Sequence, residues 1–155
     1  MSTDWLIRAT AWLAFALYVA AEGKKSRWLN SLGCAALLFH IGLAFHFRHD
    51  WSHSAAYADT ARQTAALTGR NWGAGIYINY LFAFLWVGDV TRSWIKPRPV
   101  SGSQSWILRG FFLFMFLNAA VIFVPGPIRW LGLMGCLVLV GVWLTPRPLF
   151  PLARS

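Results

Sequence analysis

Five long apolar runs, separated by short polar connections, set the pattern of this chain: residues 5–21, 28–47, 72–94, 106–124 and 128–144. Runs of this length with few charges predict helices that cross a membrane. The first, 17 residues from Trp5 to Ala21, is at the lower limit for spanning about 30 Å of hydrocarbon at about 1.5 Å per residue. Its end, Val19-Ala20-Ala21, has the small residues of a cleavable signal peptide. However, Asp4 precedes the run in place of a basic cluster, and Lys24, Lys25 and Arg27 follow it directly, so it is assigned as a span. Small residues mark close helix approach in the second run (Gly33, Cys34, Ala35, Ala36, Gly42, Ala44) and the fifth (Gly132, Gly135, Gly141). Pro125-Gly126-Pro127 predicts a tight turn between the last two runs, Lys96–Ser105 a linker, and Pro146, Pro148 and Pro151 the end of helix formation.

Residues 48–70 break this pattern. They are rich in Ala, Ser, Thr and Gln, weakly charged, and free of proline, with no glycine before Gly69. A helix that stops at Gly69 is expected. It either prolongs the second span or breaks near Asp50–Ser52 and folds back over the bundle. The second course is preferred, because a weakly charged, alanine-rich surface packs better on other helices than it stands alone in water. The expected fold is all-α: a polytopic membrane helix bundle of about five transmembrane helices, with an exoplasmic helical segment between the second and third. Residues 1–155 form one integral membrane domain.

Composition narrows this further. Of 155 residues, 57% are hydrophobic and only 12% charged, too few charges for a soluble globule. Tryptophans gather at the ends of the apolar runs, where rings prefer the headgroup layer: Trp5, Trp28, Trp72, Trp94, Trp106, Trp130 and Trp143. The formal charge of +9 is spread over short connections, so it reads as an orientation signal and not as a nucleic-acid footprint. Lys24, Lys25, Arg27, Arg92, Lys96, Arg98, Arg147 and Arg154 fall on one side. The positive-inside rule then places the N-terminus outside and the C-terminus in the cytoplasm of a cytoplasmic (inner) membrane. Cys34 and Cys136 have no metal or redox spacing and read as packing residues.

All four histidines lie between positions 40 and 53. On a continuous helix His46, His49, Asp50 and His53 stand at i, i+3, i+4 and i+7 and share a face. Imidazoles and a carboxylate so placed suit zinc, copper or iron, or a haem. They equally suit hydrogen bonds to carbonyls and headgroups, with Asp50 capping the next helix, or a proton relay. Deeper, His40, Asn79 and Asn118 fall at a common level roughly 10 Å below the outer surface, with Arg8 and Thr10 nearby. This level can bind a cofactor, or tie helices together. At the opposite face Asp89, Arg92 and Arg109 predict a structural ion pair.

Several activities are excluded by counting. Membrane di-iron enzymes need more histidines, a zincin needs HExxH while Glu22 is the lone glutamate, and bis-histidine haem between two helices lacks its second helix unless a homo-oligomer supplies it. Three readings stay open: a metal or redox-cofactor site, an accessory subunit of a larger membrane complex, and a quinone or small-solute site formed by His40, Tyr77, Asn79 and Arg8.

Overall fold

The computed structural model describes residues 3–96 and 103–145, and among these every regular element is helical. Most of the 96–105 linker and the proline-rich tail lie outside the described residues. The helices are α1 (Asp4–Lys24), α2 (Arg27–Arg48), α3 (His53–Thr68), α4 (Gly75–Ile95), α5 (Ser103–Leu117), continued by a π turn (Asn118–Ile122), and α6 (Arg129–Leu144).

Three helical stretches are long and apolar enough to cross a membrane: α1, α2 and the continuous Ser105–Ile122. This differs from the five expected from the apolar runs. α6 is apolar but spans 16 residues. α4 has the length, 21 residues, but carries Asn79, Asp89 and Arg92 within it.

Local chemistry sets the connections. Lys25 takes a left-handed conformation (φ 53°) to end α1, and Ser26 caps α2 by accepting the Leu29 N–H at 3.3 Å. So short a connection forces α1 and α2 to run antiparallel, and they pack along their length. α2 then stops, Ser52 caps α3 through the Ala55 N–H, and Gly69 (φ 73°) closes it. The chain therefore breaks where the folded-back course requires. α3 lies over the approach to α4: a Cβ on Gly73 would sit 2.5 Å from the Tyr57 carbonyl oxygen.

Neighbour contacts run α1–α2–α4–α5–α6 and back to α1, a closed ring, with α3 outside it against α4. Interlocked rings fill the middle. Tyr18 lies 5.0–5.2 Å from Trp86, Phe112 and Phe116, and Phe15 lies 4.7 Å from Phe116. Trp86 and Leu139 are 0% exposed, so side chains pack closely at the centre of the described residues. Cys34 and Cys136 are buried in this cluster as free thiols.

Candidate functional site

The histidine stripe does not form. α2 ends at Arg48, His49 leaves the helix (φ −122°), and Asp50 and Trp51 both take positive φ, 46° and 57°. Asp tolerates that conformation, whereas a bulky ring rarely adopts it. The turn is tied by the Trp51 N–H donating to the Phe45 carbonyl at 3.0 Å. This break scatters the candidate ligands. His46 packs beside Phe47 and Trp51, His49 against Phe45, and Asp50 is exposed. Asp50 does not cap α3 either, since Ser52 does. No group of three or more His, Cys, Asp or Glu side chains able to hold a metal exists among the described residues. The geometry behind a zinc, copper, iron or haem site at His46, His49, Asp50 and His53 is thus absent.

His53 has a different role. Its Nδ1 lies 3.0 Å from the Tyr80 hydroxyl and its Nε2 3.4 Å from the Tyr77 hydroxyl. In the neutral imidazole one nitrogen donates and the other accepts, so the ring bridges the first turn of α3 to the first turns of α4. Tyr57 extends this exposed aromatic group toward Tyr77, 6.4 Å away.

The common polar level is only partly realised. His40 does meet α1: its Nδ1 donates to the Ile7 carbonyl at 2.8 Å, with Thr10 Oγ1 3.4 Å away. Asn118 does not join them, because its amide donates to the Phe114 carbonyl of its own helix at 2.7 Å. Arg8 is exposed. Asn79 is exposed as well, and among the described residues its amide has no hydrogen-bond partner. Equal depth therefore did not bring His40, Asn79 and Asn118 together. Energetic coupling between Asn79 and Asn118 is not expected from these positions.

The larger polar networks lie at the opposite end. Asn30 donates to Asp89 Oδ2 at 3.1 Å and accepts the Trp86 Nε1–H at 2.8 Å, while Arg92 binds Asp89 Oδ1 at 3.1 Å. This joins α2 to α4. A second network centres on Glu22, which accepts the Trp143 Nε1–H at 2.7 Å and lies 3.7 Å from Lys25 and 3.9 Å from Arg109. It joins α1, α5 and α6, and Arg109 also faces the Trp143 ring at 5.6 Å. The Asp89–Arg92 pair was legible in the sequence, but Arg109 pairs with Glu22 and not with Asp89. Asn30 and Trp86 carry no signal of their own in the sequence, and Glu22 and Trp143 read there only as the lone glutamate and a headgroup-layer ring, without the bond between them. Depth counting from the span ends would have set Asn30 against Asp89, since each lies within two turns of the same face.

The Asn30–Asp89–Trp86–Arg92 and Glu22–Trp143–Arg109 groups satisfy one another within the bundle, as hydrocarbon surroundings demand. Asn79, like the exposed Arg8, has no such partner among the described residues. It stands seven residues before Trp86, about two turns and within roughly 20° of the same direction, so it continues the core-facing side of α4. Yet it is uncovered. Ile76, one turn nearer the N-terminus, is 5% exposed, so the uncovered position is local to Asn79. Compared with known protein families, characterised proteins and solved structures, the chain finds no match.

Proposed function

We propose that this protein is an accessory subunit of the cytoplasmic membrane, crossing it five times as α1, α2, α4, α5 with its π turn, and α6, and docking on a larger membrane partner beside the outer half of α4. The observation that carries this reading is Asn79: an amide on the core-facing side of a helix, left without cover. A partner helix presenting a hydrogen-bonding side chain would complete it, at a gain of about 0.6–2 kcal/mol for the bond alone. The closely packed aromatic centre supports a role exercised through surfaces. A quinone or small-solute site has less support, since His40 and Tyr77 already bond to Ile7 and His53.

A photo-crosslinking residue at position 79 in intact cells tests this. It should give a discrete protein adduct, whereas the same residue at Phe84, 73% exposed on the lipid side of α4, should give lipid adducts only. Identical products at both positions would remove the docking surface.

Orientation has its own test. A cysteine at exposed Ala58 of α3 should react with an impermeant thiol reagent added to cells, and one at exposed Lys25 only after permeabilisation. Thr60, nearby on α3, is unsuitable because it packs toward Gly75. Native Cys34 and Cys136 are buried and should stay silent. Reactivity at 25 and protection at 58 would invert the topology.

A further inference from the structure

We propose that the outward face of α4, at its cytoplasmic end, seats one anionic phospholipid of the inner leaflet. A shallow, open groove on the surface of this one helix is lined by Phe84, Val87, Gly88, Thr91, Ile95 and, at its end, Arg92 and Lys96. Gly88 makes the groove: a Cβ there would meet nothing within 4 Å, so the gap between Phe84 and Thr91 is left open. The walls are apolar, which fits an acyl chain. At the rim the character changes over one helical turn.

Lys96 is exposed just past the end of α4, and Arg92 is held one turn earlier by Asp89. Asp89 does not oppose an anion here, because Arg92 and Asn30 occupy its two oxygens. Trp94 stacks edge-on with Trp28 at 4.7 Å and carries Arg27 over its ring at 4.3 Å, so this level has the residues of a headgroup layer. Lys96, exposed at the cytoplasmic end of an apolar helical surface, matches the phosphate of an anionic lipid whose chain lies along the helix. Apolar walls beside a basic rim favour a lipid over a free anion. The inference rests on the membrane placement of α4 proposed above, but not on the docking partner.

Thermal unfolding of the purified full-length chain in a neutral detergent, titrated with phosphatidylglycerol or phosphatidylcholine, tests the site. Phosphatidylglycerol should raise Tm by several degrees and phosphatidylcholine should not. Lys96→Gln should remove most of that rise, and Lys25→Gln, on another connection, should leave it intact. Gly88→Leu should fill the groove and abolish the rise, while Tm without lipid stays the same or increases slightly, since leucine favours helix over glycine. Should that variant fold poorly, the lysine pair still decides. Equal response to both lipids, equal loss in both lysine variants, or the same rise with inorganic phosphate alone would overturn the site. A failed crosslink at position 79 would leave it standing.

Discussion

Gly132→Leu should destabilise the bundle by about 3 kcal/mol, near the upper end for overpacking a core. A Cβ at Gly132 would collide with the Ala120 carbonyl oxygen and come within 2.8 Å of the Ala120 carbonyl carbon and Cβ. Those are mainly backbone atoms of the π turn Asn118–Ile122, so no side-chain rotation relieves the clash. α6 must move away from α5, and the ring opens at that seam. Gly135 makes an informative contrast. Its added Cβ would lie 2.8 Å from the edge of the Phe15 ring, a side chain and not backbone, so Gly135→Ala should cost less. Gly141 faces open space and Gly141→Leu should be nearly neutral. Detergent unfolding of the three variants, followed by circular dichroism, should rank them in that order. If the leucine variants at 132 and 141 were equally stable, the close approach of α6 to the π turn would be wrong.

The apolar runs located the helices closely, because span length and the tryptophan and basic residues at each end leave little freedom in where a helix begins and ends. The fold-back after α2 was also legible, from an alanine-rich segment that needs something to lie on. What the sequence could not convey was azimuth. Depth is counted along a helix, but contact depends on direction around it, and Asn118 shows the difference: at the expected level, its amide turns to Phe114 of its own helix. Spacing arguments failed at His46, His49, Asp50 and His53 for another reason. They assume helix throughout, whereas Asp50 and Trp51 adopt positive φ without a glycine to announce it. Glu22 was hidden by position. Three residues before Lys25 it resembles a loop charge, and only the assembled ring shows it reaching Trp143 and Arg109.

Trp86→Ala should cost about 3–5 kcal/mol, the range for deleting a buried aromatic ring. Trp86 is fully buried and touches the rings of Tyr18, Phe82, Phe112 and Phe116 at centroid distances of 5.2–5.8 Å. Its loss leaves a cavity where α1, α4 and α5 meet. α2 is affected too, because a Cβ on Gly33 would lie 3.0 Å from the Trp86 ring, so α2 rests almost directly on the indole. The indole also carries the Nε1–H that Asn30 accepts, and Asn30 in turn holds Asp89. Packing and hydrogen bonding can be separated. Trp86→Phe keeps most of the ring contacts but removes the donor, and should lose less than the alanine variant. A double-mutant cycle of Trp86→Phe with Asn30→Leu should show coupling of about 0.6 kcal/mol or more, since the second change matters less once the bond is gone. Strict additivity would mean that the Trp86–Asn30 bond contributes nothing measurable. A cost for Trp86→Ala no greater than that of Leu137→Ala, a residue 57% exposed on α6, would mean that the aromatic cluster does not hold the ring together.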